Sequence, residues 1–482
     1  MIAYANHKDR YGLPISSASS KAIAHYEEGL DLALAQNFGA EEEFAEAVEA
    51  DDGFAMAHAA LGFMQFMRIA VTEAKASAES AIQLSSGITQ RERQNIQIVS
   101  QLITGKSHEA IAAINEHLKE FPRDALLLRL AQRLYVQGCG GSGVADYPPL
   151  FYQMLKNLEP HYGEDWAFLG QFAWANHEVG RMAEGLSLAE HSLDLMPTNA
   201  VAAHSVGHVF FETNRNDEGA AFLGSWLDDY DRRATYRVHL SWHQALFELA
   251  MGRYNQALGW YQSDIRPSVQ EKKYAALPDS ASLIWRMHIY GDTVPHAPWE
   301  ELTELAAPAA AQPGPSFRDA HAALAFTAAG DETSFAKLVD GLQAMADKGD
   351  TCARDATLPL VKGIGAFGDE DYSEAVRLME PVYPQLTRIG GSHAQRQVFE
   401  DTLLEAYLRA EQYDKATSML RERLSQRETP RDCYWLARAQ MGAGDAQGAQ
   451  ESLQQAKTGW EQADTNTPEF ASFARMTEPS EG

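Results

Sequence analysis

The chain has 482 residues, 45% of them hydrophobic and 22% charged, and 67 acidic against 40 basic side chains give a formal net charge of −27. That length fits two to four domains or one extended repeat array, while the acidic balance argues against nucleic acid, whose phosphates need basic neutralisation, and against anionic membrane surfaces. Three scattered cysteines (Cys139, Cys352, Cys433) lack zinc-ligand spacing, the N-terminus lacks an apolar leader, and no run nears a membrane span, so a cytoplasmic protein is expected.

In chain order the elements repeat. Residues 105–114 read GKSHEAIAAI, 180–189 GRMAEGLSLA, 252–261 GRYNQALGWY and 411–420 EQYDKATSML. Each opens on a turn, places a small residue five positions on and an apolar or small one four beyond that. Helix-period stretches precede each segment, and proline often closes the unit (Pro122, Pro160, Pro197, Pro267). This is the period of tetratricopeptide repeats, in which small residues let paired helices approach and the turn residue tolerates a left-handed backbone. The pairs run from Ser19–Asn37 with Glu41–Ala50 to Asp432–Gly442 with Ala446–Gln462. No strand alternation bounded by hairpin turns is present. The expected fold is an all-α, tetratricopeptide-repeat-like α-solenoid of roughly eleven to twelve antiparallel helix pairs.

Three breaks interrupt the period. Gly138–Gly143 (GCGGSG) predicts a flexible loop within a pair, and Gly390-Gly391 precedes a helix starting near Ser392. The Ala/Pro-rich stretch 295–315 predicts a bend between an N-terminal array, 1–294, and a C-terminal array, 316–482, whose tail caps the solenoid and frays at its end.

The first helix of each pair is expected to line the concave face. Two of these helices carry histidines four apart, His204/His208 and His239/His243, and residues at that spacing share a helical face. Counting back from the turn residues aims Trp174, His177 and Glu178, then His204, His208 and Glu212, then His239 and Trp242 at the groove, with His243 at its margin. Imidazoles four apart chelate metals, and Glu212 offers an oxygen. Neither an HExxH pattern nor an EF-hand loop accompanies them, so no metal ligand set is assigned and no cofactor is named.

Asp319 and His321 lie near the start of one inner helix, Arg354 and Asp355 near the start of the next, and Asp279 opens an earlier one. Carboxylates beside histidines tune imidazoles toward general-base work, although Asp279 and Asp355 also suit N-caps. Ser392, Gln395 and Arg396 at a helix N-terminus suit a carboxylate or phosphate. The catalytic candidates are therefore His204, His208, His239, His243, Asp319 and His321. The binding candidates are Trp174, His177, Glu212, Trp242, Asp279, Arg354, Asp355, Ser392, Gln395 and Arg396. Gly105-Lys106-Ser107 imitates a phosphate loop, but Ser100 stands where its first glycine belongs and no strand precedes it.

HSVGH (204–208), HLSWH (239–243), DIRPS (264–268), RDAH (318–321), ARDATLPL (353–360) and IGGSHAQRQVF (389–399) occur in order over most of the chain. In these segments the sequence resembles the tetratricopeptide repeat protein 38 family, with Gln397 standing where an acidic residue is expected. The resemblance implies a helical repeat solenoid and little specific chemistry. Histidine, tryptophan and aspartate concentrated mid-chain favour an internal pocket for a small polar or anionic molecule, with catalysis considered beside binding. The alternative is a scaffold that holds a partner peptide in its concave groove.

Overall fold

The computed structural model describes residues 7–291, 293–294 and 296–477. Among them the chain forms 26 α-helices, and the one β pairing is an isolated bridge between Lys8 and Pro14. The helices follow one another as twelve pairs, a short extra helix, Arg266–Gln270, after the second member of the seventh pair, and a terminal helix, Pro468–Thr477. The protein is an all-α, tetratricopeptide-repeat-like solenoid. No helix among the described residues is long and apolar enough to cross a membrane.

The turns explain the period. Gly180, Asn214, Gly252 and Glu411 all take positive φ (81°, 56°, 73° and 57°). At Gly252 the backbone N–H donates to Leu249 O (3.0 Å) and Arg253 N–H donates to Glu248 O (2.8 Å), which satisfies two carbonyls at the end of the first helix. Gly180-Arg181 and Asn214-Arg215 close their helices with the same two bonds. Five residues beyond the turn, Ala110, Ala257 and Ala416 are buried. At Gly219 an added Cβ would lie 2.4 Å from the Phe247 ring, so that seam has no room for a methyl group.

First and second helices differ in what surrounds them. Tyr413–Gln426, a second helix, buries only Ala416, Met419 and Leu420. Arg237–Ala250, a first helix, is buried from Leu240 through Leu249 without a break, and Leu277–Ile289 is buried on nearly every face. A helix buried all round lies inside the fold, and any polar side chain on it needs a partner there.

The chain divides into two compact units, Met1–Val206 with Tyr230–Tyr236, and Gly207–Asp229 with Arg237–Gly482. In the first, Asp124 anchors a buried network: it accepts from Arg91 Nε at 2.8 Å, from Asn95 Nδ2 at 3.1 Å and from His117 Nε2 at 3.1 Å. In the second, helices far apart in sequence touch. Trp285 Nε1 donates to Thr402 Oγ1 (2.9 Å), Arg286 Nη2 to Ala394 O (2.7 Å) and Arg427 Nη1 to Phe211 O (2.9 Å). Helices of an open solenoid touch only their sequence neighbours, so within the second unit the array closes on itself. At its end Trp460 Nε1 donates to Ala250 O (2.9 Å), and Arg431 reaches both Glu469 and Tyr254.

Several local expectations need revision. Gly138–Gly140 is a 3-10 turn within the fourth pair. The helix that the repeat period places from Trp299 to Ala307 is present and runs on to Ala311, while Pro295 itself lies outside the described residues, as does the tail end 478–482. Asp355 caps nothing. It lies inside a π-turn, Ala353–Thr357, and Asp350 supplies the side chain that accepts from Ala353 N (2.9 Å). Asp279 is the third residue of its helix and no cap.

Candidate functional site

Three of the predicted histidines meet inside the second unit. His208 comes from the helix Ala200–Glu212, and His239 and His243 come one turn apart from Arg237–Ala250. The rings of His208 and His243 lie 4.4 Å apart between centroids, and those of His239 and His243 lie 4.8 Å apart, both edge to face. A nitrogen of each lies within 4.8 Å of a nitrogen of the other two. His208 and His243 are buried, and the His239 side chain keeps 14% of its surface exposed.

The next inner helix, Leu277–Ile289, orients this cluster. His239 Nδ1 lies 3.0 and 3.1 Å from the two Asp279 carboxylate oxygens. That contact places a proton on Nδ1. Trp242 stacks on His239 (5.4 Å, 15°) and donates from Nε1 to Ser282 Oγ at 3.1 Å. Ser282 in turn donates to Asp279 O (3.2 Å), so indole, imidazole and carboxylate are held as one set. Arg286 lies beyond, its guanidinium carbon 5.7 Å from the centre of the Trp242 ring.

At the other end, Glu212 follows His208 by one helical turn. It receives His393 Nδ1 at 2.9 Å and Arg427 Nη1 at 3.5 Å. Burial by itself raises the Glu212 pKa, but His393, Arg427 and His208 outweigh it and hold the carboxyl at about 2. The Glu212 charge in return raises the pKa of His393 against the effect of burial. Glu212, Thr213, Asn214, Gln426, Arg427 and Glu428 line a surface depression of about 260 Å³. A polar mouth thus lies one helical turn from the buried imidazoles.

The remaining candidates make the following contacts, each within its own unit. In the first unit His204 Nδ1 lies 2.7 Å from the Tyr236 hydroxyl. Trp174 stacks on Tyr147, and His177 meets the Trp174 ring edge to face at 6.0 Å, with burial pushing its pKa down to about 3. In the second unit Asp319 accepts from Gly314 N (2.7 Å) and Arg318 Nε (2.8 Å). Burial raises its pKa. Burial pushes His321 down to about 4, although its bond to Phe317 O (2.7 Å) and the nearby Asp279 charge oppose that; the ring is neutral at pH 7.

Arg354 and Asp355 pair with each other at the surface (2.7 Å), away from the buried imidazoles. Ser392 and Gln395 are spent on a reciprocal capping box, and Arg396 donates to Gly391 O. The helix end drawn as an anion cradle therefore has its own capping groups. His393, Arg427, Ser282 and Arg286 were not anticipated. Only His393 had a signal, its place in the IGGSHAQRQVF segment; Arg427 joins Glu212 from 215 residues away.

No family model matches the chain. Among solved structures it is similar to a human IFIT1 dimer with m7Gppp-AAAA (12% identity, 90% of this chain and 94% of that one, TM-score 0.41). It is also similar to Cut9-Hcn1, an APC/C hetero-tetramer (11%, 96% and 97%, 0.34), and to the P58(IPK) TPR domain (12%, 81% and 89%, 0.20). The repeat assignment rests on the helix pairs and their turns.

Proposed function

We propose that the chain is a repeat protein of the tetratricopeptide repeat protein 38 type whose second unit binds a small polar or anionic molecule at a histidine centre. In this reading Asp279 orients His239 within that centre. The observation that carries it is the convergence of His208, His239 and His243 from two inner helices, with Asp279 on His239 Nδ1. A buried polar group costs stability unless it is paired, and clustered titratable groups of this sort gather where chemistry is done. Trp242 supplies an apolar wall, and the depression beside Glu212 supplies an approach from solvent. The contacts of Arg427 with Phe211 and of Asn214 with Glu428 tie the early and late helices of this unit together, which favours a small ligand over an extended peptide here. The net charge of −27 argues against an RNA ligand.

A thermal-shift screen of small polar and anionic compounds tests this. A ligand should raise the Tm with concentration, by the equivalent of about 2.7 kcal/mol at a hundredfold excess over Kd. His208→Gln and His243→Gln should remove the shift while keeping helical circular dichroism. A screen without a hit, or a shift unchanged in both variants, overturns the reading.

A further inference from the structure

We infer that His208, His239 and His243 form a three-histidine site for a divalent transition-metal ion of the zinc class, with Asp279 as the carboxylate that orients His239. The inference rests on the histidine centre proposed above and names what it holds. The donor set is chemically uniform: three imidazoles, the ligand type that suits zinc, nickel, copper and iron. His239 and His243, one turn apart, form a two-point chelate on a single helix, and His208 supplies the third donor from the neighbouring inner helix.

The geometry is close to what an ion needs. Nitrogens at about 2.0–2.1 Å around a tetrahedral ion lie roughly 3.4 Å from one another. Here one nitrogen of each ring lies within 4.8 Å of one nitrogen of each of the others. The rest of the shell is in place. A metal-bound histidine typically donates its other ring nitrogen to a carboxylate or carbonyl. His239 Nδ1 does so to Asp279, and the stacked Trp242 fixes the plane of the ring.

The test uses the full chain, purified without a histidine tag. Elemental analysis should find stoichiometric zinc, or uptake of added Zn2+ after chelator dialysis, and Co2+ should give the visible absorption of a tetrahedral ion. His208→Ala and His243→Ala should lose the metal, and Asp279→Asn should weaken it by about 10–100-fold. Should an alanine variant unfold, His239→Gln combined with Asp279→Asn gives the same readout in side chains of nearly unchanged shape. Failure of chelator-treated, folded wild type to take up Zn2+ or Co2+, or retention of the ion by the His208 and His243 variants, overturns the site. A ligand-induced Tm shift that persists in metal-free protein would leave the ligand reading standing without the metal. Bound metal with no ligand shift would leave the metal site standing alone.

Discussion

Glu212→Gln tests whether the mouth of the site is electrostatically organised. The carboxyl is held at about 2 instead of its ordinary 4.5 by His393, Arg427 and His208 acting against burial. If that whole difference survived in stability it would amount to about 3 kcal/mol. The His393 side chain is 46% exposed, so solvent screens its share, and we expect about 1–2 kcal/mol. The pH dependence has a definite sign. A carboxyl whose folded pKa is depressed contributes fully above 4.5, and the contribution is lost as pH falls from 4.5 to about 2. His393, whose folded pKa is raised, contributes fully below its unfolded value of about 6.5 and loses that contribution as pH rises through the folded value. The gap between wild type and variant should therefore be widest between roughly pH 4.5 and 6.5 and should narrow on both sides. Urea unfolding of both proteins at pH 3, 5.5 and 8.5 measures it. A gap that is flat across the three, or absent at 5.5, refutes the reasoning.

Two further perturbations probe the scaffold. Asp124→Ala strands the buried Arg91, which keeps only Asp9 at 3.4 Å, and should cost about 3–5 kcal/mol in the denaturation midpoint; a loss under about 1 kcal/mol would show that the network contributes little. Gly219→Ala pushes a methyl group to 2.4 Å from the Phe247 ring and should cost about 1–3 kcal/mol. Shortening the ring with Phe247→Leu should make the second change non-additive with the first, and simple additivity of the two would argue against the clash.

The repeat period was legible because it is local. A left-handed residue at Gly252 and a small one at Ala257 are written five positions apart, and both are required by contacts between consecutive helices. The two histidine pairs were legible for the same reason, as were Trp242 and Asp279 as residues of adjacent inner helices. The Ser392–Gln395 box was also on the page, since a serine followed three residues later by glutamine is a capping signature; reading it as an anion site overlooked the groups that already satisfied that helix end. Asp355 went astray for another reason. The π-turn at Ala353–Thr357 places the true cap at Asp350, and no composition signal marks such a turn. Arg427 was out of reach altogether, because closure of the second unit is a long-range event that no periodicity encodes.

That closure bears on why the histidines are where they are. On an open concave face, His208 and His243 would be ordinary solvated side chains that need no partner. The second unit instead packs its inner helices on nearly every side, and such helices in a purely structural core would carry leucine and phenylalanine, which bring no polar atoms to satisfy. They carry His208, His239, His243, Asp279 and Arg286. Fully apolar second-helix seams such as Ala416, Met419 and Leu420 show that the chain builds ordinary hydrophobic packing where packing is the only demand. The polar set lies on the first helices and is ordered by Asp279 and Ser282. A position that departs from the local rule of apolar burial, and is supported by a second layer of hydrogen bonds, is what the proposed site requires.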